Sequence, residues 1–157
     1  MDRKRTVGVL AAIGVLALMA SGCSTGPLVT PSPKTTAVNV TLTEWAIGTS
    51  VSTAPAGQVR FSVVNQGPDD VHEFVVIKTD LAPDALPTVA EGDEAGTVDE
   101  EGEGFEAIGE KEDILAGTDG NVLTLTLTPG HYVIFCNVHD EELVHYQKGM
   151  HTEFTVS

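Results

Sequence analysis

The stretch from His131 to Ser157, HYVIFCNVHDEELVHYQKGMHTEFTVS, decides how this chain is read. It sets a thiol (Cys136), imidazoles (His139 and His145) and a thioether (Met150) on one loop. Alternating runs flank that loop. Tyr132, Ile134 and Cys136 share one face at period two, while Thr152, Phe154 and Val156 read as the partner strand. The donors are thus anchored at both ends. Thiolate and thioether beside imidazole form a soft set that selects copper, and zinc to a lesser degree, over oxygen-loving ions. A site of two His, one Cys and a weak axial Met needs one more imidazole from elsewhere in the chain, and His72 is the donor the sequence offers.

Working outward, the chain supplies more strands of the same kind. Val38, Val40 and Leu42 alternate with polar residues, as do Val59, Phe61 and Val63. Leu123, Leu125 and Leu127 in VLTLTLT face a core with threonines turned away, and Pro129-Gly130 then turns the chain into His131. The cluster Asn65 to Asp70 (NQGPDD) is a turn that delivers His72 to the start of the run Val71 to Lys78. Trp45, the only tryptophan, is expected at the core or its edge. From Leu81 to Leu115 the periodicity fails. Glu91 to Asp113 carries eleven acidic residues against Lys111, which predicts a solvated acidic excursion, with a short strand near Phe105 to Ile108. No long amphipathic helix is predicted after the leader. The fold class that follows is all-β, a Greek-key β-sandwich of about seven to eight strands.

The leading residues read differently. Arg3, Lys4 and Arg5 precede the apolar run Val7 to Ala20, the order of a secretory signal, and Ala20-Ser21-Gly22-Cys23 resembles a bacterial lipobox. Residues 1–22 are therefore expected to be a signal peptide. Residues 23–36 are a lipidated Cys23 followed by a tether rich in Pro, Ser and Thr, and residues 37–157 are the folded domain. The expected location is the extracytoplasmic face of the cell membrane, or the periplasm, through a lipid anchor. With Cys23 lipidated, Cys136 has no disulfide partner in the chain, which in an oxidising compartment calls for something to protect the thiol.

Net charge is −15, and removing residues 1–22, with Asp2 against Arg3, Lys4 and Arg5, leaves −17. Nucleic acid and anionic headgroups are poor partners for such a surface, and a basic protein is a better one.

The motifs Asn65-Gln66-Gly67, His72-Glu73-Phe74, Tyr132 to Asn137, His145-Tyr146 and Gly149-Met150 resemble those of the cupredoxins, small single-copper proteins of the plastocyanin and azurin type. The match runs over roughly residues 36–157. The resemblance implies one Cu(I)/Cu(II) ion per chain held by His72, Cys136, His145 and Met150, and an electron carrier without enzymatic activity that serves a redox partner protein. A copper carrier or buffer using the same ligands is the alternative. It also implies an imidazole edge exposed at the end of the sandwich, and an Asn137 whose side chain and backbone tie the two ligand loops together. Many relatives have four residues between Cys and His, whereas eight separate Cys136 from His145 here, with His139 among them. The two residues between Cys136 and His139 favour His139, as in plastocyanin-like loops. The four between His145 and Met150, with Gly149 for backbone freedom, favour His145. Economy of loop length selects His145 and makes Val138 to Val144 an insertion that bulges outward.

Overall fold

Period-two runs build two sheets that face one another. In the computed structural model, which describes residues 34–140 and 143–157, the strands are β1 (Thr36–Thr43), β2 (Ala46–Thr49), β3 (Thr53–Ala54), β4 (Gly57–Asn65), β5 (His72–Thr79), β6 (Phe105–Ile114), β7 (Asn121–Leu127), β8 (Gly130–Phe135), β9 (His139–Asp140), β10 (Leu143–Val144) and β11 (His151–Val156). A 3-10 turn spans Tyr146–Lys148. The proposed signal peptide, Cys23 and most of the tether lie outside the described residues.

One sheet has the order β2-β1-β4-β7 and the other β3-β11-β8-β5-β6, while β9 and β10 form a separate ribbon. Successive strands β4 and β5, β6 and β7, and β7 and β8 lie in opposite sheets. These crossings make the Greek-key sandwich that the strand pattern predicts. Strands beyond the expected seven or eight are the short edge pieces β2 and β3 and the ribbon, too brief to leave a periodic signal.

Between the sheets the predicted faces meet. Val38, Val40 and Leu42 of β1, Val59, Phe61 and Val63 of β4, and Phe154 and Val156 of β11 are all buried there. Phe61 packs against Phe74 at 5.3 Å between ring centroids and edge-on to Phe154 at 5.7 Å. Each such side chain contributes about 1.5–3 kcal/mol by leaving water.

The acidic excursion differs from its expectation. β5 and β8 carry apolar residues on both faces, and Val75, Ile77, Val133 and Phe135 point away from the main core. Residues 80–104 cover them, burying Leu86 and Val98 in a second core with Val144 and Tyr146. The segment is thus a lid with a charged outer surface. The strand expected at Phe105 to Ile108 runs on to Ile114 and pairs along β5 at the sheet edge. Its charges hid it, since edge strands carry charged residues that discourage pairing with other chains.

Register brings the ligand candidates together. β8 runs antiparallel to both β5 and β11, with Phe135 opposite Val75 on one side and His151 on the other. The start of β5, the end of β8 and the start of β11 therefore lie at one end of one sheet. His72, Cys136 and Met150 occupy those three positions.

Candidate metal centre

His72 is aimed by its turn. Asn65, fully buried, donates through Nδ2 to the carbonyls of Asp70 and Ile114, both at 2.8 Å, and accepts the Gly67 N–H at 2.8 Å through Oδ1. Ile114 is the cross-strand partner of His72, and the ladder shifts register between His72 and Phe74. Such a bulge re-aims a side chain. Here it directs His72 inward, fully buried.

Cys136 follows β8 directly. Its N–H donates to the Met150 carbonyl at 3.0 Å, and its Sγ accepts the Glu73 N–H at 3.2 Å. The loop then returns through the ribbon, where His145 N–H donates to the Val138 carbonyl at 3.0 Å. Gly149 closes the 3-10 turn at φ 106°, donating to the Tyr146 carbonyl at 3.0 Å. This left-handed conformation is open to glycine at little cost. It carries the chain to Met150, which is fully buried and whose N–H donates to the His145 carbonyl at 3.2 Å.

Three donor atoms converge. Nδ1 of His72 lies 3.2 Å from Nδ1 of His145, and Cys136 Sγ lies 3.9 Å from the first and 3.4 Å from the second. The point equidistant from all three is about 2 Å from each, close to the roughly 2.0–2.3 Å at which imidazole nitrogen and thiolate sulfur hold a divalent ion such as zinc. All three side chains are fully buried, and Nε2 of both rings lacks a hydrogen-bond partner. Buried polar atoms are ordinarily paired. Rings turned so that both Nδ1 atoms face a thiol, at the expense of Nε2, fit a cation at the centre of the triangle.

No protein-family model matches the sequence, and no curated protein matches it. Solved structures do match. Dithionite-reduced auracyanin from the photosynthetic bacterium Roseiflexus castenholzii superposes with a TM-score of 0.52 at 20% identity, covering 78% of this chain and 97% of that one. Rusticyanin gives 0.55 at 19% identity, covering 80% of this chain and 79% of its own. Auracyanin A from Chloroflexus aurantiacus, described as a "blue" copper protein, gives 0.51 at 16% identity, covering 79% and 100%. The chain has the cupredoxin fold.

Electrostatics around this site follow from burial. Burial pushes the Cys136 thiol up to about 11, against the pull of the Glu73 and Val138 N–H groups. Cys136 therefore stays protonated near neutrality unless a cation replaces the proton. Burial also pushes His72 down, and His145 adds to it. Burial, then Glu100, Glu110 and Glu112, push Glu73 up to about 7, while the Asn137 N–H pulls the other way.

Several expectations need correction. His145 has no exposed edge: it is fully buried, with Trp45 edge-on to its ring at 4.9 Å. The insertion after Cys136 does not simply bulge outward. It folds as the β9–β10 ribbon over the site, with His139 half-buried opposite Val144 and outside the triad of donors. The Asn137 side chain does not tie the two ligand loops together; it turns to the lid. It accepts the Val98 N–H at 2.7 Å and donates to the Val98 carbonyl at 3.1 Å and to Glu100 Oε1 at 2.8 Å. Tyr146 fastens the same lid, its hydroxyl accepting the Leu86 N–H at 3.0 Å and donating to the Pro83 carbonyl at 2.9 Å. The staple formed by Asn65 is only partly legible in the sequence, where Asn-Gln-Gly signals a turn and not a buried hydrogen-bonding hub.

Proposed function

We propose that the chain holds one copper ion through His72 Nδ1, Cys136 Sγ and His145 Nδ1, with Met150 as the weak axial donor, and carries single electrons between redox partners. The convergence of two imidazole nitrogens and one thiol in a dry site carries the proposal. Copper, when bound there, supplies a one-electron couple between Cu(I) and Cu(II), and an axial thioether tunes it.

The chain's own residues do the rest. The Asn65 staple and the β8–β11 pairing hold the donors at fixed separations, so little needs to move when the charge changes. The Glu73 N–H on Cys136 Sγ stabilises the thiolate. With Met150 beside His72, Cys136 and His145, the chain would offer a bound copper four donors of its own, which favours a carrier over an enzyme that binds substrate at the metal. Trp45, half-buried and edge-on to His145, is the aromatic group through which an electron would leave.

Burial also favours electron transfer over copper delivery. Donors with no exposed surface offer nothing for an acceptor protein or chelator to grasp. Metal analysis after equilibration with both ions, then redox titration, tests the proposal: one copper per chain and reversible one-electron reduction are expected. Preferential zinc binding, or ready loss of copper to a chelator without redox cycling, would overturn it.

We also propose an extracytoplasmic protein anchored through a lipid on Cys23, with residues 1–22 removed as a signal peptide and residues 23–36 serving as a tether. The partner would be a basic redox protein, matched to the mature charge of −17, and nucleic acid is not a partner.

A further inference from the structure

The ribbon over the metal centre gives His145 a neighbour that the triad of donors does not require. For His145 Nδ1 to present a lone pair to Cys136 and His72, the ring proton must sit on Nε2. That nitrogen is fully buried and has no hydrogen-bond partner. Its nearest carboxylate is Asp140, with Oδ2 at 3.5 Å. The Asp140 side chain is 45% exposed, so a small rotation is free to shorten the contact. Trp45 and His72 lie edge-on to the His145 ring, at 4.9 Å and 5.1 Å between centroids, and restrict its motion. A carboxylate of Asp70 lies in the same cluster, within 4.8 Å of the others.

Ribbon geometry explains why Asp140 is there. Leu143 pairs with Asp140 and Val144 with His139, and His145 N–H returns to the Val138 carbonyl. The segment between Cys136 and His145 therefore folds back so that its first strand ends over the outer edge of the ring.

We infer that Asp140 is a positioning residue for His145: its carboxylate accepts the Nε2–H proton, fixes the tautomer that leaves Nδ1 free for metal, and strengthens the imidazole as a donor. A carboxylate behind a metal-bound imidazole acts in this way generally, and its removal commonly costs 10–100-fold in metal affinity. The tautomer part depends only on the chain. The metal part rests on the copper proposal above.

Both parts can be tested with D140N and D140A in the full-length protein, with D70N as the control of equal charge change. In metal-free protein, long-range proton–nitrogen correlation spectra report the His145 tautomer. Wild type is expected as Nε2–H, D140N to keep it through its amide oxygen, and D140A to lose it in part or whole. In copper-loaded protein, D140A is expected to weaken Cu(II) about tenfold relative to Cu(I), which raises the one-electron midpoint potential by about 59 mV. D70N should shift it by less than half as much. An Nε2–H tautomer and potential unchanged in D140A would overturn the inference, as would a D70N shift equal to that of D140A. If wild type fails to bind copper, the functional proposal falls while the metal-free spectra still decide the hydrogen bond.

Discussion

Asn65→Ala should damage the fold and the site together. The side chain makes three hydrogen bonds at 2.8 Å and has no exposed surface. Truncation orphans the buried Ile114 carbonyl and Gly67 N–H and the partly buried Asp70 carbonyl. Each net bond is worth about 1 kcal/mol, and a buried group left unpaired costs about 1–3 kcal/mol. A loss of about 3–5 kcal/mol is therefore expected, a large share of the roughly 5–15 kcal/mol that holds a domain folded. Two of the lost bonds bracket His72, one to its strand partner and one to the residue two before it, so copper affinity should fall as well. Denaturant unfolding of the metal-free protein measures the first effect, and competition against a copper chelator the second. Gln66→Ala, an exposed neighbour, should stay within about 0.5 kcal/mol of wild type. An Asn65→Ala protein within about 1 kcal/mol of wild type and with unchanged affinity would refute the staple.

Three further outcomes follow from the same structure. Leu86→Ala should cost about 2–5 kcal/mol in thermal or denaturant unfolding, because the side chain is core and not solvated loop; a change under about 0.5 kcal/mol would mean that residues 80–104 merely float. Cys23→Ala should move the protein from the detergent phase to the aqueous phase on partitioning, and retention in the detergent phase would point to an uncleaved helix as the anchor. Electron exchange with a cationic redox protein should slow as salt rises and the screening length falls to about 10 Å at 0.1 M, and a flat dependence would count against docking by charge.

Much of the sandwich was legible because its inner faces alternate cleanly: β1, β4, β7 and β11 each showed period two. The candidate donors were legible as residue types, since few side chains bind soft metals and four of them fall in pattern. Signals failed where burial was two-sided or local. The continuous apolar runs in β5 and β8 were the mark of strands covered on both faces, yet the cover itself, Leu86 and Val98 scattered among acids, carried no period. β6 was masked by Glu106, Glu110, Glu112 and Asp113 on an edge. The ribbon of β9 and β10 has two residues per strand, too few for any pattern, and so the burial of the His145 edge and the approach of Asp140 could emerge only from the folded chain.

The proposed copper centre is that of His72, Cys136, His145 and Met150. Visible absorption of the copper-loaded protein tests it most directly, run on wild type beside His139→Ala and His145→Ala. An intense thiolate-to-copper band is predicted in wild type, retained in His139→Ala and lost or changed in character in His145→Ala. Copper bound without that band in wild type, or a band that survives His145→Ala and vanishes in His139→Ala, would contradict the assignment.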